Sequence, residues 1–327
     1  MDKLIESFPT QIIESLNIAR QVHLNTPKNK FSQIVICGMG GSGIGGKIAS
    51  QWIVDEINIP VILHADYDIP QFVSEHSLVI CSSYSGNTEE TTSAASAAHK
   101  KGAHIIGICS GGKLKTFCEE NGFDCIIVPG GKPPRAALAY SLIQLINIFS
   151  KFELIDKSRL IEIENASSFI LNEQANIKKE GKEIASLLHG KVGVVYAGPF
   201  YEGIAVRARQ QFNENSKTLV LSHAIPEMNH NEILGWEGGD NRFATLFLNS
   251  SDLDERNAAR FAFTKKFISS KTPFVMEVHA KGANRIERSL YLIHMVDWAS
   301  YYLAELKNID AVDITVIEAL KKELSKI

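Results

Sequence analysis

No apolar run in the 327 residues approaches the roughly 20 that a membrane-spanning helix needs, which sets aside an integral membrane protein of the helical kind. The opening segment, MDKLIESFPTQIIESL, lacks the basic, apolar and small-residue regions of a signal peptide. Positive charge is not in excess either. Lys and Arg number 34 against 37 Asp and Glu, for a net charge of −3, so there is no basic footprint for nucleic acid, and no helix-turn-helix or basic segment is visible. The five cysteines are an odd count with no C-x-x-C spacing. Cys37, Cys81, Cys109 and Cys125 lie in or beside apolar, strand-like runs, where cysteine acts as a small buried hydrophobe. A reducing, cytoplasmic setting is the expectation.

What is present is an ordinary globular balance, 45% hydrophobic and 22% charged, in a chain long enough for about two domains of roughly 150 residues. It is organised around residues 78–92, LVICSSYSGNTEETT. An apolar run, read as a buried parallel strand, stops abruptly at Ser82, Ser83, Ser85 and Thr88, with Gly86 and Asn87 permitting a tight backbone. Glu89, Glu90 and Thr91 then open a helix, whose unpaired N–H groups beside several hydroxyls form an anion pocket. No Lys or Arg lies in the stretch, so the expected ligand is a compact phosphate, a monoester rather than a nucleoside triphosphate. The plainer alternative is a Ser/Thr-rich turn and helix cap.

The preceding chain reads as a helix over residues 1–28, then a strand at Ile34–Cys37 running into GMGGSGIGG at 38–46 and a helix striped by Ile44, Ile48, Trp52 and Ile53. Gly38, Gly40 and Gly43 satisfy G-x-G-x-x-G, and Asp66 ends the next strand, which is also the arrangement of a dinucleotide site. The alternation continues with a helix at 89–100, a strand at His104–Cys109, a short helix and a fifth strand in CIIVPGG. KPPRAALAYSL follows, with a helix expected from about Arg135. Strands alternating with helices call for a doubly wound parallel sheet, whose ligands collect beyond the carboxyl ends of the strands. The glycine and hydroxyl loops both occupy that edge.

A charged helical stretch over 151–189 leads to a second α/β half. Its strands are expected in VGVVYAGP, TLVLS, FATLFL and PFVMEVH, with long helices to follow. The expected division is 1–152, with the leading helix and phosphate loops, and 153–327, with the connecting helix and a terminal helix. The second half has neither loop, which suggests that it supplies catalytic side chains.

Six segments together resemble the bifunctional phosphoglucose/phosphomannose isomerase family over nearly the whole chain: GMGGSGIGG, SYSGNTEET, PRAALAYSL, NENSK, PEMNHNE and DWASYYLAELKNID. The resemblance implies two doubly wound, flavodoxin-like sugar isomerase (SIS) domains and a cofactor-free, metal-free aldose–ketose isomerase of glucose 6-phosphate and mannose 6-phosphate. It implies that Ser83, Ser85 and Thr88 hold the phosphate and that Gly41 and Ser42 line the sugar. It assigns Arg135 to the sugar oxygens, Glu214 as the base, and His230 and Lys307 to ring opening, in a homodimer that supplies His230 across its interface. The chain departs from the family's Gly-Val-Asp-Pro after Lys307, having Asn308, Ile309, Asp310 and Ala311.

Chemistry gives these residues reasons of their own. One carboxylate can move a proton between C1 and C2 through an enediol, a step worth about 10²–10⁴ in rate. Glu214 sits near the end of an expected helix, where the dipole disfavours an acid. His230 lies in a polar turn and has a pKa suited to ring opening, whereas His64, His104 and His279 flank strands and read as packing residues. The spacing of His223, Glu227 and His230 raises a metal question, but it matches no zinc pattern. Arg135 can stabilise an enediolate, and Lys307, at a helix end, complements the dipole. Small Ser300 is expected to leave room beside C2. The competing classes are a non-catalytic sugar-phosphate sensor and an NAD-dependent oxidoreductase built on Gly38, Gly40, Gly43 and Asp66.

Overall fold

The computed structural model describes residues 1–326. Strands β1 (Gln33–Cys37), β2 (Val61–His64), β3 (Ser77–Ser82), β4 (His104–Cys109) and β5 (Asp124–Ile127) form one sheet in the order β2-β1-β3-β4-β5. Strands β6 (Val192–Ala197), β7 (Val220–Ala224), β8 (Phe243–Asn249) and β9 (Val275–His279) form a second, in the order β7-β6-β8-β9. Every pairing is parallel. The expected doubly wound α/β class is therefore what the chain adopts, with the same strand order starting both sheets. Each β3 residue is buried, as a central parallel strand covered on both faces must be.

The chain divides into two compact units. One comprises residues 6–172 and 282–290 and holds the five-stranded sheet; the other comprises residues 1–5, 173–281 and 291 onwards and holds the four-stranded sheet. In the first, Val35, Cys37, Val79, Cys81, Ile105 and Cys109 pack against Ala94, Ala95 and Ala98 of the helix Glu89–Lys100. Those methyl-sized side chains let the helix lie close to the strands, which fixes where its N-terminus falls. The helix Leu138–Lys151 is buried on all faces up to Ser150, as a core helix is. In the second unit Val194, Tyr196 and Phe247 pack against Ile225, Met228, Trp236 and Phe261. His104 packs edge-on against Phe152 and tilted against Phe31, and burial lowers its pKa, in keeping with a packing role.

Two sequence expectations are corrected. The helix expected over 1–28 is two helices, Asp2–Glu6 and Phe8–Gln21, followed by extended chain from Val22. Pro9 cannot continue a helix from the preceding turn, and Asn25 is drawn away by bonds from its backbone N–H and its Nδ2 to the Asp124 carboxylate, at 2.8 and 2.9 Å. The helix expected from Arg135 begins at Leu138 instead, and Arg135 sits in a single 3-10 turn, Pro134–Ala136. Pro134 forces the residue before it, Pro133, to remain extended (ψ 134°), which delays the helix.

Candidate active site

In the first sheet β1 and β3 are neighbours although β2 intervenes in sequence, so the topological switch point lies between their carboxyl ends, where ligands of such sheets collect. The glycine turn leaves β1 there and the hydroxyl loop leaves β3. The Ser83 and Thr88 hydroxyls lie 2.8 Å apart, and Thr88 N–H points at Ser83 Oγ at 3.4 Å. Ser85 Oγ accepts from Asn87 N–H at 3.2 Å, and Thr88 is the cap residue of the helix Glu89–Lys100. Three hydroxyls thus converge on a helix start whose first-turn N–H groups have no intrahelical acceptor. Gly86 makes the turn possible. Its φ is +70°, and an added Cβ would lie 1.7 Å from the Gly111 carbonyl oxygen, a contact no side chain survives. Leu114 N–H donates to Gly86 O, and Lys113 N–H to Asn87 Oδ1, so the loop is seated on the helix Gly112–Asn121.

Ser42 and Gly41 open the helix Gly40–Trp52 that follows the glycine turn. Buried Ser42 Oγ accepts from Tyr84 N–H at 3.1 Å, which ties the glycine turn to the hydroxyl loop. Gly41 faces the arginine turn, since a Cβ there would be 3.1 Å from Pro134 O. Arg135 is 4% exposed. The structure therefore brings Gly41, Ser42, Ser83, Ser85, Thr88 and the Arg135 turn to one edge of one unit.

The other three candidates belong to the second unit. Glu214 is half-buried in the last turn of the helix Glu202–Ser216. Lys217 closes that helix in the left-handed conformation (φ +46°), and its ammonium donates to the carbonyls of Glu214, Asp310 and Asp313 at 2.8–2.9 Å. Lys307 Nζ donates to Ser216 O (2.8 Å), Lys217 O (3.1 Å) and Thr218 Oγ1 (2.7 Å), and burial lowers its pKa. Two cations thus neutralise the exposed carbonyls of the helix end that carries Glu214. Asn308 has φ +52° in the loop where the chain departs from the family pattern. Beneath this helix end runs a buried polar ladder. Arg207 and Gln211 each hold an Asp297 carboxylate oxygen at 2.7 Å, while Asn215 Nδ2 donates to Ser300 Oγ at 2.9 Å. Ser300 is fully buried and itself donates to Asp297 O, which makes it part of the ladder rather than an open space.

His230 is exposed at the end of the 3-10 turn Glu227–His230. The neighbouring charges are engaged with one another: His223 Nδ1 lies 2.6 Å from Glu232 Oε2, and Glu232 Oε1 accepts from the buried Tyr196 phenol, which Trp236 Nε1 approaches at 2.8 Å. Burial and the Glu232 carboxylate push the Tyr196 phenol pKa well up. Among the described residues no group of three or more His, Cys, Asp or Glu is arranged to hold a metal ion.

Lys217, Tyr84 and Asn215, which hold these positions, were not singled out from sequence. For Asn215 a signal exists, because Arg207, Gln211 and Asn215 recur every four residues and mark a polar stripe on one helix face. Lys217 and Tyr84 bond mainly to backbone carbonyls and N–H groups remote in sequence, which no residue pattern announces.

A doubly wound parallel sheet with a glycine turn and a hydroxyl-lined helix start at its switch point defines a sugar isomerase domain, and residues 29–128 match the SIS domain family. Residues 177–324 match the bacterial phospho-glucose isomerase C-terminal SIS domain. The fold is also that of the C-terminal domain of glucosamine-fructose-6-phosphate aminotransferase from Francisella tularensis, with a TM-score of 0.74 at 15% identity over 95% of this chain and 96% of that one. More particularly, the chain belongs to the bifunctional phosphoglucose/phosphomannose isomerase family. It is 37% identical to the member from Caldicellulosiruptor bescii, over 100% of this chain and 99% of the relative. It is 38% identical to that from Aquifex aeolicus, over 99% and 98% respectively.

Proposed function

We propose that the protein interconverts glucose 6-phosphate and mannose 6-phosphate with fructose 6-phosphate. The observation that carries this reading is the end-to-end likeness to relatives named bifunctional phosphoglucose/phosphomannose isomerase. The phosphate is held by the hydroxyls of Ser83, Ser85 and Thr88 and the N–H groups that open the helix Glu89–Lys100, while Gly41 and Ser42 line the sugar. A monoester dianion suits this arrangement, because the loop supplies donors without a cation of its own.

His230 and Lys307 move a proton between the anomeric hydroxyl and the ring oxygen, which opens the ring. Glu214 removes the proton from C2 of the open aldose and returns it to C1 of the resulting cis-enediol. Return to either face of C2 in the reverse direction gives glucose or mannose stereochemistry. Arg135 stabilises the oxyanion of the intermediate. Lys307 serves this chemistry and the helix end together, and its lowered pKa supports a role in proton movement. No cofactor or metal is part of the reaction as proposed. The active form is a homodimer in which His230 is donated across the interface, and five unpaired thiols, four of them buried, support a reducing, cytoplasmic setting.

The test is a coupled assay for fructose 6-phosphate, supplied separately with glucose 6-phosphate and mannose 6-phosphate, with and without chelator. Formation from both sugars, unchanged by chelator, is the expected result. Binding without turnover would make the chain a sensor. A nicotinamide absorbance change when NAD is supplied with the sugar phosphate and no coupling enzyme would restore the dehydrogenase reading of Gly38, Gly40, Gly43 and Asp66.

A further inference from the structure

Tyr84 lies between the hydroxyl residues Ser83 and Ser85, yet its polar groups all bond away from them. Its N–H donates to Ser42 Oγ at 3.1 Å, and its carbonyl accepts from Ser110 N–H at 2.8 Å and Ser110 Oγ at 2.7 Å. Its phenol donates to Pro129 O at 2.9 Å and accepts from Lys132 N–H at 3.2 Å. One residue therefore joins the glycine turn after β1, the exit of β4 and the segment leading to Arg135. That segment also rests on Ser110, since a Cβ on Gly130 would come within 3.4 Å of Ser110 Cβ and Oγ.

Between Lys132 and Arg135 stand only Pro133 and Pro134, whose rings fix φ and hold the preceding residues extended. The Arg135 turn is closed by Ala136 N–H to Pro133 O and Ala137 N–H to Pro134 O, at 2.9 and 3.1 Å. The two rings limit how much of a displacement at Lys132 rotation can absorb before it reaches Arg135. Burial raises the Tyr84 phenol pKa, so the hydroxyl keeps its proton and both of its bonds.

We infer that Tyr84 is a positioning residue that couples occupancy of the phosphate loop to the placement of Arg135. The inference rests on the phosphate assignment above. A ligand that tightens residues 83–88 moves the Tyr84 backbone, the phenol carries the movement to Pro129 and Lys132, and the two prolines deliver it to the arginine turn. Phosphate binding would then set the group that stabilises the intermediate.

The experiment is amide hydrogen exchange on the full chain with inorganic phosphate as the probe. In the unsubstituted protein, phosphate should slow exchange in residues 83–92 and in 130–137 with one shared half-saturation. In Tyr84→Phe, which keeps the ring, phosphate should still slow 83–92 but leave 130–137 unchanged. With fructose 6-phosphate as substrate, kcat should fall about tenfold while KM stays within about twofold, the rate equivalent of about one hydrogen bond lost from the transition state. Continued joint protection in Tyr84→Phe, or two different half-saturations in the unsubstituted protein, would overturn the coupling, and the second needs no variant. Phosphate that protects neither segment would overturn the phosphate assignment together with this inference.

Discussion

Glu214 occupies an electrostatically unusual place for an acid, the last turn of a helix, and two lysines make it tenable. Lys217 holds its own carbonyl oxygen, and Lys307 holds the carbonyls of the two residues at positions 216 and 217. Glu214→Gln preserves shape but cannot accept a proton. Turnover of both aldose phosphates should fall toward the upper end of the roughly 10²–10⁴ range while ligand affinity largely survives. Normal turnover would move proton transfer to Glu227 or Glu232, the latter already engaged by His223 and Tyr196. At the phosphate loop, each hydrogen bond to a charged group is worth about 1.5–3 kcal/mol. The Ser83 and Thr88 hydroxyls already bond to each other, so part of that gain is offset. Ser83→Ala with Thr88→Ala should still raise KM at least about tenfold, and an unchanged KM in the folded double variant would remove the loop from the site.

Elements turn these residues into geometry, and at this scale the sequence was informative in an uneven way. All nine strands of the described residues were legible, because each is an apolar run bounded by turn-formers, and buried parallel strands have little other way to look. The hydroxyl loop and the helix behind it were legible too, since S-x-S-x-x-T followed by Glu89 and Glu90 is a helix start by side-chain chemistry alone. The first helical stretch ends earlier than its sequence pattern suggests because Asn25 is held by Asp124, 99 residues away. Ser300 gives no local sign of its burial because its partner, Asn215, lies on a distant helix. Long-range polar contacts leave no local periodicity. Two tests belong here. Gly86→Ala should abolish phosphate protection of residues 83–92, because its Cβ meets the Gly111 backbone rather than a movable side chain. Asp297→Ala removes the carboxylate from a guanidinium that is 2% exposed, and should cost about 3–5 kcal/mol in a denaturant titration. A loss below about 1 kcal/mol would show that the ladder under Glu214 is not held by that pair.

At the scale of the whole molecule, the phosphate loops belong to one unit, and Glu214, His230 and Lys307 to the other. If a twofold dimer supplies His230 across its interface, Glu214→Gln and His230→Ala chains should complement each other. A mixed dimer then has one site with both defects and one with neither, and should recover up to about half the activity of the unsubstituted dimer. No recovery despite demonstrated subunit exchange would assign His230 to its own chain's site. Proton transfer between C1 and C2 by one carboxylate through an enediol is tested most directly by isotope exchange. Fructose 6-phosphate is incubated with the protein in D₂O, and the hexose phosphates are followed by proton NMR. Deuterium should enter C2 of both the glucose and the mannose 6-phosphate formed and C1 of the remaining fructose 6-phosphate, with incorporation at all three positions lost together in Glu214→Gln. Deuterium that enters the same positions at an undiminished rate in Glu214→Gln would contradict that assignment.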